Sequence, residues 1–293
     1  MRILVAGDSL GLPRPHRIND YSLSEYDLAV SYGDTYSSII NKELLTLFKM
    51  DPYIEIINKS KRSQTIAGVY SDFIDNLFFH QPDVIIIHVG IVDCWFRDEL
   101  GGKQYVPLVQ YNEYLIKILT YMSFRDECKL ILVGISPTSL KMEERYPGIN
   151  SEIRSYNEVL RSKVNYRNVF YIDMEKYTNI ENIHQYLLLD DHHLNVEGNK
   201  LIANELLKIL KGIIYTQKGV ELEKKEDFSK MNEFFLKGFH SYPYNIDTLY
   251  NLIITLYEKG DKATLNFVEE FIKTNKIVDP DLQYLFNSIY RII

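Results

Sequence analysis

Two short segments of this 293-residue chain hold side chains that could do covalent chemistry together. Ser9 lies in Gly7-Asp8-Ser9-Leu10, directly after the apolar run Ile3-Leu4-Val5-Ala6, and far downstream comes Asp190-Asp191-His192-His193-Leu194-Asn195. A serine hydroxyl is a weak nucleophile until a base within hydrogen-bond reach takes its proton. An imidazole can take that proton and return it to a leaving group. A carboxylate on the other ring nitrogen fixes the tautomer and stabilises the imidazolium. Asp190 and His193 stand three positions apart, so one loop can present both toward a distant serine. Ser9, His193 and Asp190 therefore read as nucleophile, base and orienting acid of an acyl-transfer site. Taken alone, Ser9 would read as a turn serine bonded to its own backbone, and the downstream pair tips the reading. His192 is the competing base, although it breaks the spacing to Asp190, and Asp191 reads as a solvated loop carboxylate.

Such a site needs a scaffold that brings the two segments to one rim. Mostly continuous apolar runs at residues 3–6, 53–57, 84–89, 130–134 and 169–172 read as strands covered on both faces. Amphipathic stretches at 36–48, 66–79, 108–122, 150–164 and 196–210 alternate with them. This order predicts a three-layer α/β/α domain: a five-stranded parallel sheet, helices on both sides and right-handed crossovers. A serine at the carboxyl end of the first strand sits where open sheets gather their chemistry. Residues 10–33, with Pro13 and Pro15, form a connection long enough to be expected to wall the site or act as a lid.

The pattern changes after Gly212. Residues 213–293 lack strand-like runs and read as a separate all-α domain following a domain of residues 1–212. Phe228, Met231, Phe234, Phe235 and Phe239 recur at helical spacing, and Gly260-Asp261 breaks a second stripe from a third. The helix pairs resemble tetratricopeptide-type hairpins, with a simple helical cap as the equal alternative. Their aromatic stripes read as core, and the helices are a candidate surface for a protein partner.

Composition bounds the function classes. The chain is 46% hydrophobic and 25% charged, with a formal net charge of -7 and no dense basic block, which argues against a general nucleic-acid binder. No apolar run is long enough to span a bilayer. No secretory leader is evident, and there are two cysteines, Cys94 and Cys128, so the expected location is cytoplasmic. No zinc-ligand spacing, calcium loop or phosphate-cradling glycine motif is present, so neither metal nor cofactor is expected.

Gly7-Asp8-Ser9-Leu10 resembles the first sequence block of the SGNH/GDSL hydrolase family, and Asp190 and His193, with Leu194, Asn195 and Gly198 after them, resemble its last block. The resemblance spans about residues 1–212 and implies a flavodoxin-like SGNH hydrolase fold, a serine esterase or acylhydrolase activity, and the same Ser9, Asp190 and His193 as triad. The family's second block supplies a backbone donor to the oxyanion. Here it reads Asn58 through Thr65, with Ser63 at the glycine position. The third block, normally Gly-x-Asn-Asp, reads Gly90-Ile91-Val92-Asp93, and Val92 has no donor. Losing one oxyanion donor typically costs about 10²–10³ in turnover. Arg97, four residues past Asp93, carries donors and charge that could serve the oxyanion or an acidic substrate, with a surface arginine as the plainer reading. Asn58, Ser63, Gly90, Asp93 and Arg97 are the candidate oxyanion and substrate residues. The version Gly-Ile-Val-Asp-Cys resembles that of bacterial relatives linked to surface-polysaccharide synthesis, which implies an O-acetylated carbohydrate or similar small ester as substrate. Transfer of the acyl group to a sugar hydroxyl, or a binding protein with a decayed site, are the alternatives.

Three further features read as structural. Lys59, Lys61 and Arg62 form a solvated basic loop that could also attract an anionic sugar. His88 reads as a hydrogen-bonded core residue, and Cys94, with no paired base, as a buried thiol.

Overall fold

The computed structural model describes residues 1–15, 28–48 and 54–291. The central part of the expected lid, the start of the expected second strand and the last two residues lie outside them. The described residues divide into two units, Met1–Glu205 and Leu206–Ile293.

The first unit is built on five parallel strands: β1 (Arg2–Gly7), β4 (Glu55–Asn58), β5 (Val84–His88), β8 (Lys129–Val133) and β9 (Val169–Ile172). Their spatial order is β4-β1-β5-β8-β9. Two small antiparallel ribbons stand outside the sheet. One pairs β2 (Arg14–Pro15) with β3 (Leu28–Val30), and the other pairs β6 (Phe96–Arg97) with β7 (Lys103–Gln104). The central strands carry the core: Ile3, Leu4, Val5, Val84, Ile85, Ile86 and Leu130 through Val133 are fully buried. This explains their unbroken apolar sequences, since both faces of each strand are covered by helices.

Helices α1 (Tyr36–Leu47), α2 (Ile66–Ser71), α3 (Ile91–Cys94), α4 (Leu108–Met122), α5 (Leu140–Arg145), α6 (Ile149–Arg161) and α7 (Val196–Glu223) make the connections. In strand order the chain steps from β1 to β4 on one side, then crosses back to β5 on the other. That reversal opens a crevice above the carboxyl ends of β1 and β5, the place where such sheets bind ligands. Ser9 follows β1 there, and Gly90 follows β5.

The structure revises three readings. The single helix expected over 66–79 ends as α2 at Ser71, turns at Asp72, and widens into a π-helical turn over Asp75–Phe79, where His80 N donates to Asp75 O. His88 is buried but has no hydrogen-bond partner on either ring nitrogen among the described residues. It packs against the ring of Tyr36 instead, with centroids 5.5 Å apart. The helix expected over 196–210 runs on through Gly212 to Glu223 as α7, 28 residues long.

The second unit comprises the carboxyl-terminal part of α7 with α8 (Phe228–Ser241), α9 (Ile246–Lys259), α10 (Lys262–Thr274) and α11 (Pro280–Arg291). Met231, Phe235, Phe239, Leu249, Leu252, Ile253, Leu256 and Val268 form its core. Its breaks are capped. Asn245 Oδ1 accepts from Asp247 N and Thr248 N at the start of α9, Gly260 at φ 70° ends that helix, and Asp261 accepts from Thr264 N to open α10. Gly219 is required where α7 meets α8: a Cβ there would stand 2.4 Å from a ring carbon of Phe235. No helix among the described residues is long and apolar enough to cross a membrane.

Candidate active site

The turn after β1 is set by backbone and carboxylate together. Asp8 N donates to His88 O, and Asp8 Oδ1 accepts from Leu10 N at 2.8 Å, capping the short 3₁₀ turn Ser9–Gly11. Asp8 is wholly buried, and burial pushes its carboxyl up to about 7, against the Leu10 N–H and the charge of Arg14. Asn58 ties the same turn to β4. Its Nδ2 donates to Gly11 O and Ser37 Oγ, while its Oδ1 accepts from Ser60 N.

The second segment is ordered by Asp190 itself. Its Oδ1 accepts from His193 N at 2.9 Å and from His192 N at 3.3 Å, so the carboxylate winds its own loop around itself. Asn195 anchors the exit: Nδ2 donates to Gln185 O and Leu187 O, and Oδ1 caps Gly198 N in the first turn of α7.

These two turns meet. Ser9 Oγ lies 2.9 Å from His193 Nε2, and His193 Nδ1 lies 2.8 Å from Asp190 Oδ2. Burial draws the His193 imidazole down to about 4. The Asp190 hydrogen bond opposes this, and the neighbouring His192 and Arg14 add to it. The ring is therefore neutral at pH 7 and has a lone pair for a proton. Burial alone would raise the Asp190 carboxyl, but the hydrogen bonds from the His193 ring and backbone outweigh it, leaving Asp190 well below the usual carboxylate range. His192 does not reach Ser9 by any hydrogen bond. Its Nδ1 bonds Asp190 O at 2.7 Å, and its ring fills the space between His193 (4.1 Å between centroids) and Trp95 (4.8 Å). Asp191, at φ 67°, is paired with Lys141 at 3.2 Å.

The other candidates are placed differently. Ser63 is exposed and adopts φ 57°, the left-handed conformation that glycine favours, so the serine takes the backbone shape of that position. Gly90 has φ 144°, and a Cβ there would fall 2.4 Å from Ile135 Cδ1. Asp93 does not face solvent: it is fully buried, its Oδ1 accepts from Ile66 N at 2.9 Å, and Oδ2 has no partner among the described residues. It holds the start of α2, and burial pushes its carboxyl up to about 8, so it is protonated at neutral pH. The Asn58 amide is likewise spent on its backbone and Ser37 contacts. Arg97 lies over the Trp95 ring, 5.1 Å from its centroid, and makes no hydrogen bond to Ser9, His193 or Asp190 among the described residues. Cys94 is buried, and burial raises its thiol far above the reactive range.

One residue was not singled out in the sequence. Arg14 Nη2 lies 2.9 Å from His193 Nδ1 and 4.0 Å from Asp190 Oδ2, with 13% of the side chain exposed. Its sequence signal is faint: a cation held extended between Pro13 and Pro15, five positions past Ser9. A cavity of about 330 Å³ begins at Leu12, the residue after the nucleophile turn, and is lined also by Pro13, Tyr32, Thr35, Ser37, Ser38, Asn41, Ile56 and Asn58.

Among the described residues, Asp190, His192 and His193 are the ones that could hold a metal, with ligand atoms within 4.8 Å of one another. Asp190 Oδ2 and His193 Nδ1 already bond each other, and the Arg14 charge beside them opposes a cation.

Comparison with known proteins agrees with this architecture. Structures similar to this one include LAE5, an alpha/beta hydrolase enzyme from the metagenome of Lake Arreo, Spain (TM-score 0.52, 18% identity, 69% of this chain and 91% of that one). Another is the lipase/acylhydrolase from Enterococcus faecalis (0.52, 16%, 69% and 91%). A third is the acetyl xylan esterase AlAXEase (0.51, 18%, 69% and 96%). At such identities the likeness is one of fold. No curated protein matches the chain. The sequence model of the GDSL-like lipase/acylhydrolase family matches residues 27–201, most of the first unit. The chain belongs to that family and is a carboxylic ester hydrolase.

Proposed function

We propose that this enzyme cleaves small acyl esters, O-acetylated carbohydrates in particular, through an acyl-enzyme on Ser9. The observation that carries the reading is the relay of 2.9 Å and 2.8 Å from Ser9 through His193 to Asp190. His193 Nε2 takes the Ser9 proton as Oγ attacks the ester carbonyl, and Asp190 holds Nδ1–H and stabilises the imidazolium. The imidazolium then protonates the departing alcohol. Water, deprotonated by the same nitrogen, releases the acid and frees Ser9.

The oxyanion is assigned to backbone donors. The N–H groups of Ser9 and Ser63 have no other hydrogen-bond partner among the described residues. Val92 contributes nothing, so turnover is expected to fall about 10²–10³ below that of a site with the side-chain donor. The sugar assignment is supported by the cavity beside the turn. Its lining holds polar residues such as Ser38 and Asn41, no charged residue among the described ones, and Tyr32, 67% exposed, which suits a polyhydroxylated ring with one apolar face.

The test is hydrolysis of an aryl acetate by wild type and Ser9→Ala, with mass spectrometry after exposure to a fluorophosphonate. Loss of activity in the variant and an adduct on Ser9 are expected. Equal rates would remove Ser9 from the reaction. O-acetylated sugars then serve as substrates, with free acetate as the product expected and acylated acceptor sugar as the result that would redirect the reading to transfer.

A further inference from the structure

His193 Nδ1 has two partners that demand opposite things of it. Asp190 Oδ2, at 2.8 Å, is a carboxylate and accepts a proton from Nδ1. Arg14 Nη2, at 2.9 Å, is always a donor and needs the Nδ1 lone pair. One ring nitrogen cannot serve both. With the proton on Nδ1, the ring bonds Asp190 and Nε2 is free to accept from the Ser9 hydroxyl. With the proton on Nε2, the ring donates to Ser9 Oγ, accepts from Arg14, and cannot act as a base. Both forms hold the same number of protons.

The charge of Arg14 is poorly matched where it stands. The acids that face it are Asp190, an ion-pair partner only at 4.0 Å whose other oxygen is taken by two backbone N–H groups, and Asp8, which is wholly buried and bonded to Leu10 N. Arg62 adds a second positive charge nearby. Among the described residues no carboxylate comes closer to this guanidinium than 4.0 Å, which leaves its fork open to a tighter, bidentate partner.

We propose that Arg14 determines specificity: it holds His193 in the unreactive tautomer until a carboxylate on the substrate draws the guanidinium away, so the enzyme favours esters of acidic sugars. This rests on the assignment of Ser9 and His193 as nucleophile and base. When the sugar carboxylate accepts from Arg14, Nδ1 loses its donor. The imidazole proton then moves from Nε2 to Nδ1 through solvent, where Asp190 accepts it. The base is thereby switched on by the substrate. The lone pair on Nε2 then faces the hydroxyl it must deprotonate.

The test reads tautomer and reactivity separately, on the full chain. Imidazole ¹⁵N shifts of His193 distinguish Nδ1–H from Nε2–H, and a neutral fluorophosphonate reports the rate of Ser9 modification. Glucuronate is the probe and glucose its uncharged control. Wild type is expected in the Nε2–H form, shifting to Nδ1–H with glucuronate and not with glucose, with labelling accelerated at least about tenfold, the worth of one charge-assisted contact. Arg14→Gln is expected in the Nδ1–H form throughout, labelling fast and indifferent to glucuronate, while Arg14→Lys keeps the response. A labelled Ser9 with no acceleration by glucuronate, or wild type already in the Nδ1–H form without it, overturns the proposal alone. Failure of every protein to label at Ser9 overturns the nucleophile assignment itself, and the proposal with it.

Discussion

Replacing Asp93 with asparagine should change how stability depends on pH, because the wild-type carboxyl is buried without a counter-charge. Its Oδ1 accepts from Ile66 N at 2.9 Å, Oδ2 has no partner among the described residues, and Asp8, whose charge it feels, is buried as well. Burial chiefly lifts the folded-state value from 3.8 to about 8, and the nearby Asp8 charge adds to it. The unfolded chain ionises near 3.8 and the folded one resists until about 8. Between those limits the unfolded state binds fewer protons, so stability falls as pH rises. Each pH unit costs a factor of about ten in the folding constant, and the full window amounts to about 6 kcal/mol. Asparagine keeps an oxygen for Ile66 N and does not titrate. Urea unfolding from pH 4 to 8.5 checks this. The two proteins should be close in stability at pH 4, and Asp93→Asn should pull ahead steadily, by up to about 6 kcal/mol at pH 8. Asp8, pushed up to about 7, titrates in both proteins, so the difference between them reports Asp93 together with its repulsion from Asp8. Parallel stability curves would refute the claim that an uncompensated buried carboxyl sits beneath the site.

Further outcomes follow from the same geometry. Asp190→Asn should lower kcat on an acetylated acidic sugar by about 10⁴, since the amide can donate to Nδ1 and trap the wrong tautomer. The variant should retain its fold, because its Oδ1 still accepts from His193 N; circular dichroism and the kinetic comparison check both. The acid limb of kcat/KM in wild type should fall near pH 4 rather than near 6.5, because burial, His192 and Arg14 hold the imidazole neutral against the pull of Asp190. A pH–rate profile with its acid midpoint at 6 or above would contradict that. Gly90→Ala should destabilise the first unit by about 2–3 kcal/mol, since φ 144° is hostile to an L-residue and the new methyl would meet Ile135 at 2.4 Å. Calorimetry of the variant measures it.

Much of this enzyme is legible in the order of its residues. Unbroken apolar runs alternating with amphipathic ones dictate a parallel sheet covered on both sides, because a strand can be apolar at every position only when neither face meets water. The turn at Ser9 and the Asp190–His193 loop are local devices written into short motifs: Asp8 and Asp190 each bond the backbone a few residues on, and that needs only spacing. Periodicity could not say whether the glycine at 212 ends a helix or lies within one, since glycine serves both ends.

Only the tertiary structure decided which side chains share an electrostatic environment. Asp93 and Asn58 carry ligand-binding groups in sequence, yet Asp93 Oδ1 and the Asn58 amide are taken by backbone partners that folding brings within about 3 Å. Arg14 has no motif of its own, and it matters because the fold sets its guanidinium against a histidine 179 positions away. A sequence records the kinds of charge and their order. The distance between charges far apart in the chain, on which their energy depends inversely, exists only once the chain is folded.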